Sequence, residues 1–516
     1  MLAAVLTLLQ LASGCAAIRQ DVPRVPSHAL SDGADTTFGR AFAAEVARHP
    51  GLSGFLVVAS GRAALVARVA LADAAERTLD LQYYSVGEDL TTDLLLLRII
   101  AAAERGVRVR ILLDDIHAQT RLFARRAIAA HAGIQVRLFN PFLFGGGPAL
   151  ARLGEFAFDS ERLNRRMHNK LWVTDNAAGI VGSRNLGDEY FDTHKSVNFS
   201  DVDLLAVGPI TAEFSAAFDA YWNSAAAVPA EAFAGPTDAA EGVLVREGLH
   251  TRTADCQSRP PCQWLAEDGL LNDLRSGNVP LSWARAQVIY DPPDRDKIGV
   301  TGAFQHGTVD DHPGGSRTRA ELLIVSPYFV PSEDMERHLS GLRERGVRVA
   351  VLTNSLASTD SPAAHAGYAR HRPGLLRGGA ELYEMRPEPG ARHRILRRWA
   401  HASSSSLHAK IIVQDRERAS VGSLNLDPRS REHNTEACIV LESSELAADL
   451  AALFEEGTDA DQAFKVEVER TEGSESLVWR TEEDGKAVHY DVEPMTPVWL
   501  RLWRGILGVV IPEHLL

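Results

Sequence analysis

Lysine is scarce in this chain of 516 residues, because 48 of its 54 basic side chains are arginines and only six are lysines. Acidic residues number 68, so the formal net charge is −14. A general nucleic-acid binder needs basic stripes against the phosphate backbone, and this charge balance argues against one. An apolar content of 45% and a charged content of 24% are those of a globular protein, long enough for two domains with large cores.

Long apolar runs are also few. The N-terminus is apolar through Ala12 and then reads Ala-Ser-Gly-Cys. This pattern predicts an export signal over residues 1–14, and it resembles a bacterial lipoprotein signal in which Cys15 becomes the lipidated first residue. No basic residue precedes Arg19, so a buried N-terminal helix is the alternative. The run is short for a membrane-spanning helix. We therefore expect a protein of the bacterial cell envelope that is exported and anchored at Cys15.

The second apolar stretch lies near the C-terminus, in "TPVWLRLWRGILGVVIPEHLL". At helical periodicity it is apolar around most of its circumference, with Arg501 and Arg504 interspersed. Such a helix either packs on the body of the protein or lies in a membrane interface, where Trp and Arg suit the headgroup level. The sequence leaves both possibilities open.

Only four cysteines are present. Cys256 and Cys262 stand close together in a proline-containing loop, and in an exported protein they either form a local disulfide or stay as two free thiols. Cys438 lies in the apolar run "ACIVL", which predicts a position in the core.

The chain repeats itself at an offset of 240 residues. "ERGVRV" recurs with its Arg at positions 105 and 345, and His-x-Lys recurs with its His at positions 168 and 408. Two different motifs at one offset indicate a duplicated domain. In each half an apolar strand precedes an amphipathic helical stretch, a glycine and another strand. This order predicts an α/β fold with two lobes, each a mostly parallel sheet flanked by helices.

Composition shifts divide the chain further. We place an N-terminal linker at 15–50, the first lobe at 51–225 and the second lobe at 286–455. Residues 226–285 contain Ala, Pro, Gly and the cysteine loop, and they are expected to form a linker or an insertion. Residues 456–516 form a C-terminal tail.

The longer repeated pattern is His-x-Lys-x4-Asp followed by Gly-Ser-x-Asn. Because lysine is scarce, two chance copies at equal offset are improbable. In a strand, His and Lys two positions apart share a face, whereas the Asp five positions after the Lys has the opposite parity. We expect the His and Lys of each copy to face an anion and the Asp to act behind them. The candidate catalytic residues are His168, Lys170, Asp175, His408, Lys410 and Asp415.

Neutral donors follow each copy. Ser183 and Asn185, with Ser423 and Asn425, are candidates for binding a phosphate group together with the lysines. Two histidines supply the nucleophile and the general acid that substitution at phosphorus needs. The sequence shows no Asp/Glu cluster of the kind that binds Mg²⁺, so we expect neither a metal nor a cofactor.

Acidic residues lie in the strand that follows each copy, in "SDVDLLAVG" and "HNTEACIVL". If Asp203 and Glu436 correspond, each carboxylate orients an imidazole through its second nitrogen. Ordinary acids at the edge of a sheet are the alternative.

The doubled motif resembles the mark of the phospholipase D superfamily, and the resemblance covers both halves. It implies two lobes related by a pseudo-two-fold axis, with one active site between them. It also implies that one His forms a phosphohistidine, with His168 favoured, while His408 protonates the leaving alcohol. Lys170, Lys410, Asn185 and Asn425 would hold the phosphoryl oxygens.

Further segments, among them "NRRMHNKLWV", "SPYFVPSED" and "IPEHLL", resemble bacterial cardiolipin synthases of the type C branch. The resemblance implies transfer of a phosphatidyl group from phosphatidylglycerol or phosphatidylethanolamine to a second phosphatidylglycerol at a membrane surface. The alternatives are a phospholipase D-type hydrolase, a secreted nuclease of the same superfamily and a catalytically silent lipid-binding scaffold. The sequence gives no oligomeric state.

Overall fold

The computed structural model describes Arg19 and residues 21–143, 149–235, 237–294, 318–388, 404–471 and 474–512. The expected signal segment and Cys15 lie outside these residues. The helices, numbered in chain order, are α1 Thr37–Arg48, α2 Gly61–Ala74, α3 Leu90–Glu104, α4 Ala118–Ala130, α5 Ala149–Phe158, α6 Ser160–Asn164, α7 Ile210–Trp222, α8 Glu231–Ala234, α9 Ala239–Thr253, α10 Pro260–Glu267, α11 Leu270–Ser276, α12 Glu333–Glu344, α13 Pro362–Arg377, α14 Pro428–Glu432, α15 Ser444–Thr458 and α16 Val498–Val510.

The strands are β1 Ser53–Val58, β2 Thr78–Tyr83, β3 Arg108–Asp114, β4 Ile134–Phe139, β5 Leu171–Thr174, β6 Ala178–Gly182, β7 Val197–Ser200, β8 Asp203–Val207, β9 Ala227–Pro229, β10 Ser282–Tyr290, β11 Glu321–Val325, β12 Arg348–Asn354, β13 Glu381–Met385, β14 Ser404–Leu407, β15 Ile411–Gln414, β16 Arg418–Gly422, β17 Ala437–Glu442, β18 Ala463–Thr471, β19 Ser474–Glu483 and β20 Lys486–Tyr490.

Two similar sheets join edge to edge. In the first lobe the strands follow the order β9-β4-β3-β2-β5-β6-β8-β1. In the second lobe the order is β10-β17-β16-β15-β11-β12-β13-β18-β19-β20. Strand β1 pairs antiparallel with β10, with Gly54 opposite Trp283. The mirrored order confirms the predicted α/β fold with two duplicated lobes.

The sheets are mixed, which corrects the expectation that each is mostly parallel. Among the strands of the described residues, only β2-β3-β4 and β11-β12-β13 run parallel within a lobe, and their other neighbours pair antiparallel. The difference arises because each His-x-Lys motif opens a tight hairpin, β5-β6 or β15-β16, and hairpins are antiparallel.

The repeated "ERGVRV" sequence folds into the same turn twice. Gly106 has φ +91° and Gly346 has φ +85°, a region that favours glycine. The amide of Val107 donates to the carbonyl of Ala102, and that of Val347 to Leu342, at 3.1 Å in both cases. This hydrogen bond closes a Schellman motif, which ends the helix and starts the next parallel strand.

The segment expected to be a linker or insertion, 226–285, is largely helical. Its strand β9 pairs with β4, and α9, α10 and α11 pack against helices of the first lobe. Cys256 and Cys262 form a disulfide within it, as one of the two alternatives predicted. Cys438 is a buried free thiol, which confirms the expected core position.

One apolar core cluster contains residues of both lobes. Phe214 of α7 and Phe454 of α15 belong to it, together with Leu204 of β8 and Ile411 of β15. The lobes therefore share buried surface as well as the β1–β10 pairing, which fixes the two motif-bearing hairpins relative to one another. Across the described ranges no helix has both the length and the apolarity needed to cross a bilayer.

Candidate active site

The aspartate that completes each repeated motif lies in the hairpin turn. Asp175 has φ +55° and Asp415 has φ +53°. The Asp175 carboxylate accepts the backbone amides of Glu76, Arg77 and Thr78 at 2.8–2.9 Å. Asp415 accepts the three equivalent amides at the start of β11, those of Arg319, Ala320 and Glu321. Although we grouped both aspartates with the catalytic motif, the structure places them behind the histidines, as strand parity indicates, where they tie each hairpin to its neighbouring strand.

The histidine of each repeated motif is held by the opposite lobe. The amide of His168 donates to the carbonyl of Thr435 at 2.9 Å, and the amide of His408 donates to Ser200 at 2.8 Å. Strand β14, which precedes His408, pairs parallel with β7 of the first lobe. Since Thr435 and Ser200 each precede an acidic residue, this pairing brings each imidazole to a carboxylate of the other lobe.

The two imidazole–carboxylate pairs are equivalent. His168 Nδ1 lies 2.9 Å from Glu436 Oε2, and His408 Nδ1 lies 2.8 Å from Asp201 Oδ2. All four side chains are buried. With Nδ1 engaged by a carboxylate, Nε2 of each imidazole is the nitrogen available for chemistry.

The placement of Asp203 differs from the expectation that it pairs with a histidine. Asp201 does so instead, while Asp203 forms buried ion pairs with Arg68 at 2.9 Å and Arg184 at 3.3 Å. Asp201 and Asp203 stand two positions apart, and spacing alone did not separate them. The distinguishing signal is the hydroxyl residue directly before the acid, as in "SD" and "TE".

The serines of Gly-Ser-x-Asn contact these carboxylates, whereas we expected them to bind phosphate. The hydroxyl of Ser183 donates to Asp201, and that of Ser423 donates to Glu436. Each serine therefore fixes the acid that holds a histidine. In the first copy the glycine before the serine, Gly182, lets β6 and β8 lie close together at this point. A Cβ at Gly182 would lie 2.6 Å from the Cα of Asp203.

The asparagines of the two copies have less equivalent settings. Asn185 accepts the amide of Ser85 at 3.2 Å and donates to the Tyr190 hydroxyl at 3.0 Å. Asn425 is buried, and its Oδ1 has no hydrogen-bond partner among the described residues. Phosphate binding by the two amides stays a prediction.

Lys170 and Lys410 are buried and donate to the backbone carbonyls of their own motif histidines. Burial lowers the pKa of Lys410 to about 8, although the nearby carboxylates Asp201 and Glu436 oppose the shift. Burial lowers the pKa of Lys170 as well, and the charge of Lys410 adds to that effect. The two lysines, one from each lobe, therefore act on one another within a single site.

The same charges act on the imidazoles. Burial lowers the pKa of His168 to about 3. The attraction of Glu436 opposes this shift, and the positive charges of Lys170 and Lys410 add to it. Burial and Lys410 also lower the pKa of His408. Both histidines are consequently neutral near pH 7 in the free protein, and the site is arranged to receive an anion.

Aromatic rings line the histidines, and the motif pattern did not indicate them. Tyr84 meets His168 edge-on at 4.9 Å between ring centroids, and Tyr190 meets His408 edge-on at 5.3 Å. On the His408 side the Tyr328 hydroxyl donates to Asp360 at 2.8 Å. The rings pack the imidazoles into fixed orientations. Within the described ranges, no group of three or more His, Cys, Asp or Glu side chains could hold a metal ion.

The lobed sheet and the paired His-x-Lys motifs define an enzyme of the phospholipase D superfamily. The family profile described as "Cardiolipin synthase, PLD-like domain" matches residues 69–222 and 316–457. The chain belongs to this family. The prediction of a phospholipase D-superfamily enzyme similar to cardiolipin synthases is confirmed.

Individual proteins agree with the family match. The chain is 34% identical to cardiolipin synthase C of Escherichia coli K12 over 476 residues, which cover 91% of this chain and 97% of that protein. Among solved structures, phosphatidylserine synthase of Haemophilus influenzae aligns over 83% of this chain and 91% of that chain, with a TM-score of 0.51 and 12% identity. At that identity the second likeness concerns the fold alone.

Proposed function

We propose that the protein transfers a phosphatidyl group between phospholipid hydroxyls through a phosphohistidine intermediate. The observation that carries the proposal is the pair of buried imidazoles, each bound through Nδ1 to a carboxylate of the opposite lobe. This arrangement supports one neutral nucleophile and one proton carrier on either side of a phosphodiester, with Lys170 and Lys410 to bind its charge.

In the first half-reaction, Nε2 of His168 attacks phosphorus and forms a P–N bond. The P–O bond to the leaving alcohol breaks, and His408 donates a proton to that oxygen. His408 must be protonated for this step. The bound phosphodiester anion offsets the lysine charges and so raises the pKa of His408, which couples proton uptake to substrate binding.

In the second half-reaction, His408 takes the proton from an acceptor hydroxyl, whose oxygen attacks phosphorus. The P–N bond breaks and His168 is regenerated. Glu436 and Asp201 stabilise the positive charge that develops on His168 and His408 in turn, and they fix the tautomers throughout.

Phosphatidylglycerol is the proposed donor and acceptor, with phosphatidylethanolamine as a further donor, so that the product is cardiolipin. The likeness to cardiolipin synthase C over most of both chains supports this choice. Such substrates place the enzyme at a bacterial membrane. Export and lipid attachment at Cys15 stay predictions from the N-terminal sequence, as do the domain boundaries.

The test is a product assay with purified protein and phosphatidylglycerol vesicles. We expect cardiolipin and glycerol in equal amounts. If phosphatidic acid is the only lipid product, water is the acceptor and the protein is a hydrolase. If neither product forms with phosphatidylglycerol or phosphatidylethanolamine, the proposed substrates are wrong.

The histidines are tested separately. His168→Ala and His408→Ala should each lower turnover at least about 1,000-fold, because each removes a reacting group. His489→Ala, at an exposed position on β20, should retain wild-type turnover. Acid-labile radiolabel from the donor lipid should accumulate on the wild-type protein and be absent from His168→Ala. Label retained in that variant would assign the nucleophile to the other histidine.

A further inference from the structure

Helix α16 presents a continuous apolar face to solvent. None of its residues is buried, and seven apolar side chains have exposed fractions between 49% and 87%. Their spacing places them along one side of the helix. We call this set the α16 face: Val498, Trp499, Leu502, Trp503, Ile506, Val509 and Val510.

The opposite side of α16 is attached to the second lobe. Gly508 lies against Ala366 of α13, and Arg370 of α13 donates to the carbonyls of Gly508 and Ile511. Arg504 forms an ion pair with the buried Glu493 at 3.3 Å. The helix is thus docked on α13 along one side, and its apolar residues on the other side face solvent.

The α16 face carries no charged side chain. The two arginines of the helix lie on its docked side, where Arg501 donates to the carbonyl of Thr496 and Arg504 pairs with Glu493. Two exposed tryptophans among aliphatic side chains suit the boundary between the headgroups and acyl chains of a bilayer.

Helix α16 is connected through α13 to residues near the His408 side of the active site. Its C-terminal end contacts the N-terminal half of α13, and α13 begins at Pro362, two residues after Asp360. Asp360 accepts the Tyr328 hydroxyl, and its charge acts on the buried Lys410. The apolar face therefore lies on the helix pair that adjoins the His408 side of the active site.

We propose that the α16 face binds the surface of a phospholipid bilayer and presents the His408 side of the active site to lipid substrates. The inference rests on the proposed function, which makes the substrates membrane phospholipids. It adds the surface through which the protein binds the membrane that contains them. Partial insertion of the two tryptophans and the aliphatic residues supplies apolar burial, while the helix stays docked on α13.

The test uses full-length chains that all carry Cys15→Ser, so that no lipid can be attached there. The chain with this change alone is the reference, called wild type below, and it is compared with Leu502→Asp/Ile506→Asp. Binding to phosphatidylglycerol/phosphatidylethanolamine vesicles is measured by co-sedimentation. We expect the double variant to bind at least about tenfold more weakly. Val243→Asp/Leu244→Asp, at two exposed positions on α9, adds the same charge, is the matched control and should bind as the wild type does.

Insertion is measured directly by tryptophan fluorescence with brominated lipids. Quenching should occur in the wild type and be largely lost in Trp499→Phe/Trp503→Phe. Turnover of a short-chain, monomeric phosphatidylglycerol should be the same in the wild type and the Leu502→Asp/Ile506→Asp variant, since the catalytic groups are unaltered.

Each outcome bears on the inference separately from the proposed function. Unchanged vesicle binding by the double variant, or absence of quenching, would overturn the lipid assignment. A shift from dimer to monomer in the variant, with vesicle binding intact, would show that a second copy covers the face instead. If the wild type makes no lipid product yet the vesicle results are as expected, the reaction assignment fails while the membrane surface stands.

Discussion

Two aspartates only two positions apart have opposite functions in this site. Asp201 holds the imidazole of His408, and Asp203 neutralises the buried guanidinium groups of Arg68 and Arg184. The first contact affects the chemistry of a histidine, whereas the second compensates charge inside the first lobe. The two carboxylates can therefore be distinguished by the quantity that their removal changes.

We predict that Asp201→Asn lowers kcat/KM roughly 100-fold or more while the free energy of unfolding changes little. The amide no longer favours the imidazolium that forms during turnover. Asp203→Asn should instead lower the free energy of unfolding by about 3 kcal/mol, because it leaves two buried guanidinium groups without a full counter-charge. Denaturant unfolding and steady-state kinetics on both variants check this. Equal effects of the two changes on kcat/KM would contradict the assignment.

The pH dependence should report Lys410. Its pKa is about 8 in the free protein, lowered by burial, so the ammonium that we propose to bind the phosphate loses its proton above that pH. We expect kcat/KM to fall as the pH rises through about 8. In Lys410→Arg the guanidinium stays protonated, so the alkaline limb should move to higher pH even if the maximum is lower. An alkaline limb at the same pH in both proteins would assign it to another group.

At this scale the sequence predicted the motif residues that the structure brings together, and it missed some of their partners. Repetition at a fixed offset of 240 residues identifies His168, Lys170, His408 and Lys410. The offset fails for the carboxylates, because the interval from serine to acid is longer in the first copy than in the second, as "GSRNLGDEYFDTHKSVNFSD" and "GSLNLDPRSREHNTE" show. That each acid serves the other lobe's histidine depends on tertiary pairing, which no local pattern contains.

At the scale of secondary-structure elements, the two turns that follow α3 and α12 have the same geometry, so the same substitution should have the same effect in both. Gly106 and Gly346 have positive φ, and no atom lies within 4 Å of a Cβ built at either position. Gly106→Ala and Gly346→Ala should each lower the free energy of unfolding by about 1 kcal/mol, from backbone conformation alone, with turnover unchanged.

A glycine inside a helix should show the opposite change in the free energy of unfolding. Gly154 in α5 also has open space around a built Cβ and lacks a positive φ, so Gly154→Ala should raise the free energy of unfolding by up to about 1 kcal/mol. Chemical denaturation of the three variants gives the measurement. A loss of stability at Gly154 equal to that at Gly106 would show that left-handed geometry is not the cause.

The sequence predicted the elements well at positions where only one backbone conformation explains the residue type. The glycine after α3 and α12 is such a case. It predicted less well where several arrangements bury the same residues. The apolar β5 and β15 fit a parallel or an antiparallel neighbour equally, and the hairpin became evident only from the positive φ of Asp175 and Asp415.

For the molecule as a whole, the shared core cluster predicts that the two lobes unfold together. Phe214, at 0% exposure, lies in this cluster beside residues of the second lobe. Phe214→Ala should lower the free energy of unfolding by about 3–5 kcal/mol and shift one single calorimetric transition. Leu244→Ala, at an exposed position, should leave that transition in place. Two separate transitions in the wild type would contradict a common core.

The crossed pairing of histidines and carboxylates also bears on ancestry. One copy of the repeat carries a histidine and an acid that cannot meet each other within that copy, since each reaches the partner supplied by the other copy. A single-repeat ancestor would have had to work as a two-fold symmetric pair of chains. A duplication that linked two such chains would leave the surroundings of His168 and His408 free to diverge from one another.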